Sequence, residues 1–281
     1  GEGKFSNCYV LSSEAHDTIA IGEFTFACDE RGDLVTVPSE PRLQSYVAWS
    51  DIDAEYVRFQ ILSSGDPSEQ QRLGQLWQVS QEANATAVFP DIIDCGEDDG
   101  IPYCVSKFPH GEPLSLYLEK SPAWPGKVAA RMLCKFIASL KFQDDLPITE
   151  HSIPYDSLWI EKTIYGPRLL IGDIALFPSA TANTDNAALI LSVFKDLVKE
   201  EQSDPKIANL FKKLSQAPMS LGIVEKALKN FSISGDSRDI VWSEENDPDP
   251  ILVKCIAKVD QASADQLIET KDKSGKPSKL S

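Results

Sequence analysis

The 281-residue chain has no Cys-x-x-Cys pair and only three histidines, His16, His110 and His151. A zinc site, which needs ligands at close spacing, has almost nothing to build on. The six cysteines, Cys8, Cys28, Cys95, Cys104, Cys134 and Cys255, are scattered, several of them within apolar runs. They read as free thiols packed as small hydrophobes, which suits a reduced cytoplasmic compartment. No stretch approaches the roughly 18 apolar residues of a membrane span, so this segment is not expected to insert, although a parent chain could be anchored. No signal peptide is visible, and Gly1-Glu2-Gly3 reads as a remnant or an interior cut of a longer chain. Positive charge is also scarce. Lysine plus arginine number 27 against 43 aspartates and glutamates, a net charge of −16, and such a field repels nucleic acid and anionic lipid. No nucleic-acid partner is expected.

What is present is ample for one large domain or two modest ones: 42% hydrophobic residues and 9% aromatics. The first half alternates β-branched and aromatic runs with turn residues at 8–11, 18–28, 34–37, 46–49 and 56–62, the pattern of an antiparallel sheet. One helix interrupts it at 68–84, carrying Leu73, Leu76, Trp77 and Val79, before two further strands at 88–95 and 102–108. Beyond Gly111 the texture becomes helical, over 114–119, 127–142, 185–200, 205–214 and 223–231, with a small hairpin at 158–160 and 168–171. A closing piece spans 240–242 and 251–259 around the acidic run 243–250, and 271–281 is a polar tail or linker.

Several stretches resemble segments of protein kinases. Tyr46-Val47-Ala48 is similar to the second-strand Tyr-Leu-Ala, and Val57-Arg58-Phe59-Gln60-Ile61-Leu62 to Val-Ala-Ile-Lys-x-Leu. The strongest match is Pro102-Tyr103-Cys104-Val105-Ser106-Lys107-Phe108 with Gly111-Glu112 and Leu114 to Leu118, which resembles the fifth strand, gatekeeper, hinge and following helix. Gly172-Asp173-Ile174-Ala175-Leu176 resembles the Gly-Asp-Phe-Gly-Leu that opens an activation segment, and Asp185 resembles the aspartate beginning the large central helix of the C-lobe. The resemblance covers about residues 33 to 235. It implies an α+β, bilobal protein-kinase-like fold, with a β-rich N-lobe carrying one helix and a mainly α C-lobe. The expected division is an N-terminal β extension over 1–32, appended as extra strands, an N-lobe over 33–107, a C-lobe over 108–259 and a tail over 260–281.

Phosphoryl transfer asks for a glycine loop over the phosphates, a lysine held by a glutamate, magnesium on two side chains and an aspartate that orients the attacking hydroxyl. Between Gly32 and Gly65 there is no glycine, and Pro38-Ser39-Glu40-Pro41 stands where the loop would be. Gln60 takes the lysine position, and counting back from Phe89-Pro90 places Gln75 at the glutamate position, so two amides are expected to pair inside the cleft. Ser152 falls at the catalytic aspartate and Ser157 at the metal-binding asparagine. A register shifted by one would substitute His151 and Asp156, and neither restores the aspartate. Only about ten residues separate Ala175 from Asp185, without Ala-Pro-Glu, so the platform that grips a peptide substrate is missing.

The resemblance therefore implies a vestigial cleft at Ser106, Lys107, Phe108 and Asp173, with no cofactor and no metal. Asp173 reads as a surface or capping carboxylate rather than a residual magnesium site, since an isolated carboxylate binds magnesium poorly. His151 reads as a hydrogen-bonded structural histidine rather than a general base, and Trp77, Trp124 and Trp159 as core or lobe-interface anchors. The function expected is that of a catalytically inactive kinase-like domain, a pseudokinase, that regulates or docks an unidentified protein. A divergent phosphotransferase and an unrelated two-part binding module are the alternatives, and the second requires that Gln60 and Asp173 not share a cleft.

Overall fold

The computed structural model describes residues 9–13, 16–29, 31–62, 67–82, 88–98, 100–141, 148–174, 177–199, 204–215 and 219–233, with positions 251, 252, 254, 255 and 258. Cys8, the segment 240–242, the acidic run 243–250 and the tail lie outside the described residues. The strands β1 (Tyr9–Ser13), β2 (His16–Ile21), β3 (Phe24–Phe26), β4 (Thr36–Val37), β5 (Leu43–Ser50), β6 (Glu55–Leu62), β7 (Ile92–Asp98) and β8 (Ile101–Lys107) form one eight-stranded sheet. Its order is β1-β2-β3-β5-β6-β8-β7, with β4 also on β5, and every pair is antiparallel.

Strand alternation gives β6 two different faces. Val57, Phe59 and Ile61 are buried with Phe24, Phe26, Ala48 and Val105, and the Phe59 ring stacks on Tyr103 with centroids 5.0 Å apart. The opposite face carries Arg58 and Gln60, both fully buried. Strands β3 and β4 both pair with β5, so they are one edge interrupted by an excursion. A bridge between Cys28 and Leu34 closes that excursion. At its tip the Asp29 carboxylate accepts the N–H groups of Arg31 and Asp33, and Gly32 supplies φ +81°.

Helix α1 (Pro67–Glu82) turns Leu73 and Trp77 inward, 1% and 0% exposed. The strand expected from Val88 begins only at Ile92; Val88 and Phe89 are buried in the core that holds Leu73 and Trp77, and the Val88 carbonyl accepts the Ile171 N–H at 2.8 Å.

The remainder comprises β9 (Gly111–Pro113), α2 (Leu114–Lys120), α3 (Gly126–Lys141), β10 (His151–Ser152), β11 (Leu158–Thr163), β12 (Gly166–Ile171), β13 (Phe177–Pro178), α4 (Ala182–Val198), α5 (Pro205–Ser215) and α6 (Leu221–Ile233). Strands β12-β11-β9 make a three-stranded sheet and β10-β13 a two-stranded one. Apolar residues at helical spacing place Ala129, Leu133, Phe136, Ile137 and Leu140 of α3 in a core shared with Ile190, Val193, Phe194 and Leu197 of α4 and Val224 and Leu228 of α6. Lys199, just past α4, donates from Nζ to the carbonyls of Leu118 and Ser121 at 2.5 and 2.7 Å, satisfying acceptors that the end of α2 leaves free. Trp77, Trp124 and Trp159 are all buried, and Trp124 donates to the Tyr117 hydroxyl at 3.0 Å. Among the described residues no helix is long and apolar enough to cross a membrane.

Candidate functional site

The cleft lies beneath β6, between the large sheet and the β11–β12 hairpin. Strand β12 ends at Ile171, and the next two residues, Gly172 and Asp173, run up to meet the face of β6 that carries Arg58 and Gln60. A side chain at Gly172 would put its Cβ 2.2 Å from the Trp159 ring, so only glycine lets the chain pass there. The Gly172 and Asp173 N–H groups donate to the Ser157 carbonyl, fixing this turn to the segment ahead of β11.

Asp173 is fully buried, which corrects its reading as a surface or capping carboxylate. The guanidinium of Arg58 forms an ion pair with its Oδ1, both side chains 0% exposed. Gln60 donates to the same oxygen at 3.1 Å, and the Glu40 backbone N–H donates to Oδ2 at 2.5 Å. Gln60 and Asp173 therefore do face one cleft. Burial pushes the Asp173 carboxyl above the ordinary carboxylate value, while Arg58, and then Glu40 and Gln60, pull it down. Arg58 is held further by the Gly172 carbonyl at 2.8 Å, Ser45 Oγ at 3.2 Å and the Pro38 carbonyl at 3.4 Å, and its guanidinium carbon lies 4.6 Å from the centre of the Trp159 ring. The turn Pro38–Arg42 thus closes over Asp173, while the Glu40 carboxylate turns aside to pair with Arg42 at 2.6 Å.

The other expected site residues are placed differently. Gln75 is exposed on the outer side of α1, beside Gly96 and Pro102, and does not meet Gln60. The expected pairing of two amides is overturned because Leu73 and Trp77 claim the inward face of the helix. Trp77, not Gln75, ties α1 to the cleft, its indole N–H donating to the Ile174 carbonyl at 2.7 Å. Ser106 is buried beside Arg58, its register partner, and its hydroxyl has no partner among the described residues. Phe108 packs with Val37, Val47 and Trp159. Lys107 is exposed and pairs with Glu55 at 3.0 Å, so it leaves the cleft wall to its two neighbours.

Ser157 is buried and donates to the Pro154 carbonyl at 2.7 Å, whereas Asp156 is exposed, so the shifted register brings no carboxylate into the cleft. Ser152 donates to Asp185 at 2.8 Å. The buried brace between this segment and α4 is Asn186: it accepts the Ile153 N–H at 3.0 Å and donates to the His151 carbonyl at 2.9 Å. Asp185, the residue expected at the start of the central helix, is exposed one position earlier.

Hydroxyls of Thr181, Ser152 and Ser179 hold the Asp185 carboxyl below its ordinary value. A carboxylate depressed in the folded state contributes stability above its unfolded value, near pH 4, and loses it as pH falls through the folded value. Asp185→Asn should therefore flatten the acid limb of a plot of melting temperature against pH and leave the neutral region little changed. An unaltered acid limb would show that the hydroxyl cluster contributes nothing.

The donor set in the cleft does not suit magnesium. Both oxygens of Asp173 are engaged by protein donors, Arg58 brings a fixed positive charge against it, and the described residues hold no group of three or more His, Cys, Asp or Glu side chains that could share an ion. No known family model matches the sequence, and no curated protein matches it. Solved structures do: the kinase domain of Mycobacterium tuberculosis PknI, crystallised as a cysteine-to-alanine mutant, superposes with a TM-score of 0.51 at 13% identity, over 77% of this chain and 91% of that one. With its curled antiparallel sheet, single N-lobe helix and helical C-lobe, the chain has a protein kinase-like fold.

Proposed function

We propose that this is a pseudokinase domain, which regulates or docks another protein and does not transfer phosphate. The observation that carries the reading is the buried Arg58–Asp173 pair. Arg58 fills the space between β6 and Trp159 and neutralises the carboxylate that would otherwise be offered to a metal. Two things add to it. The turn 38–42 presents prolines and a glutamate in place of a flexible anion cradle, and the positions of lysine, base and second metal ligand carry Gln60, Ser152 and Ser157. An interaction role is supported by the opposite side of the C-lobe. There a groove of about 800 Å3 between α3 and the β11–β12 hairpin is lined by Met132, Phe136 and Leu169 together with the charged Lys135, Glu161 and Arg168, and Ile164 and Tyr165 at the hairpin tip are 92% and 83% exposed. Free thiols at Cys28, Cys95, Cys104, Cys134 and Cys255 fit a cytoplasmic setting.

Thermal melting with and without magnesium-ATP tests the reading. A ligand that binds only the folded state adds about 2.7 kcal/mol at a hundredfold excess over its Kd, an effect easily seen in a melt. The melting temperature is expected not to move at millimolar nucleotide. A clear magnesium-dependent rise would overturn the proposal.

A further inference from the structure

Near the end of the chain, positions 251, 252, 254, 255 and 258 are helical. The segment is two-faced. Ile251 and Cys255, one turn apart, are 5% and 4% exposed, whereas Lys254 and Lys258 are exposed. The apolar face does not join the core of α3, α4 and α6. Ile251, Leu252 and Cys255 cluster instead with Ala27, Val35, Val37 and Val47 of the large sheet, and with Phe108, Trp159 and Leu170. Those residues are the walls of the cleft: Val37 and Val47 form its roof, Trp159 and Leu170 its floor, and Phe108 the link between them. Burial pushes the Cys255 thiol up, and the charges of Lys258 and then of Arg58 pull it partly back, which places Cys255 near the guanidinium in the cleft.

We infer that the helical residues Ile251, Leu252, Lys254, Cys255 and Lys258 form an intramolecular ligand of the cleft, docked through Ile251 and Cys255. It covers from outside the apolar space that Arg58 fills from within. The receiving wall is apolar and the lysines point away, so an amphipathic helix is the matching chemistry. A contact resting on so few side chains opens locally, without unfolding of either lobe. Its release would uncover Val37, Val47, Phe108 and Trp159 together, an apolar pocket open to an apolar ligand. The inference goes beyond the loss of phosphotransfer and does not depend on it.

The test uses the full chain and N-ethylmaleimide, with each cysteine followed by peptide mass spectrometry. Cys255 should react about a hundredfold more slowly in the native chain than in guanidinium, as expected of a group released only by local opening. Ile251→Asp should raise the native rate at least about tenfold and increase the fluorescence of anilinonaphthalene sulfonate. Lys226→Ala, exposed on α6, should change neither. Cys104, buried in the N-lobe, reports whether the fold is intact; if the aspartate exposes it too, Ile251→Ala removes the contact without adding charge and is read in the same way. Native Cys255 reacting as fast as in the unfolded chain, or Ile251 variants labelling no faster than Lys226→Ala, would overturn the inference. Magnesium-ATP added to Ile251→Asp separates the two proposals. A melting shift there would refute the pseudokinase reading and leave the docking of Ile251 and Cys255 standing.

Discussion

Arg58→Met is expected to lower the unfolding free energy by about 3–5 kcal/mol, because it leaves the Asp173 carboxylate buried without its counter-ion. Asp173→Leu should cost a similar amount, since it strands a guanidinium that is 0% exposed. The double variant Arg58→Met/Asp173→Leu should recover most of the loss. Bringing two charges out of water is itself costly, and apolar residues of similar volume replace a buried pair nearly neutrally or better. Denaturant unfolding of the four proteins gives the coupling energy, expected to be 1 kcal/mol or more in magnitude, on the order of that for contacting residues. Losses that simply add would show that the two side chains do not depend on each other, and the account of the filled cleft would fall with them.

The second large effect lies on α1. Trp77→Ala should destabilise by about 3–5 kcal/mol, the range for deleting a large buried aromatic side chain. Trp77→Phe keeps most of the volume but leaves the Ile174 carbonyl without the indole donor now 2.7 Å away, a loss of about 1–3 kcal/mol. The ordering of the two variants is the informative result. Equal losses would mean that the hydrogen bond to the residue after Asp173 carries the effect and the packing little. Equal harmlessness would mean that α1 does not depend on Trp77 for its position.

The strand order, the hinge, the hairpin β11–β12 and the meeting of Gln60 with Asp173 were legible because each rests on local pattern: alternation in strands, helical spacing, and short motifs kept in register. What was missed rests on phase and on distant contacts. Counting from Phe89-Pro90 points to Gln75, whereas the inward face of α1 is set by Leu73 and Trp77, the positions with the most apolar surface to bury. Asp185 lies in the first turn of α4 as expected, and the buried brace falls on its neighbour Asn186. Arg58 occupies the position where the kinase resemblance implies an alanine, so the resemblance assigns it no role. A charged residue between Val57 and Phe59 must share the face of Gln60, and that face needed a carboxylate, so Asp173 was available as its partner from the sequence. The docking of Ile251 and Cys255 on Val37 and Trp159 left no such trace, since no local spacing connects residues so far apart along the chain.

Strand β7 ends the large sheet, with β8 on one side and no further strand on the other among the described residues. A free edge is a template for another chain's backbone. Here Asp94, Glu97 and Asp98 supply three of its seven residues, and the pairing with β8 slips between Ile92 and Asp94, which bends the strand. A second copy approaching edge to edge would set like charges against each other along an irregular ladder. The chain's excess of acidic residues thus acts locally as a guard against sheet extension and aggregation.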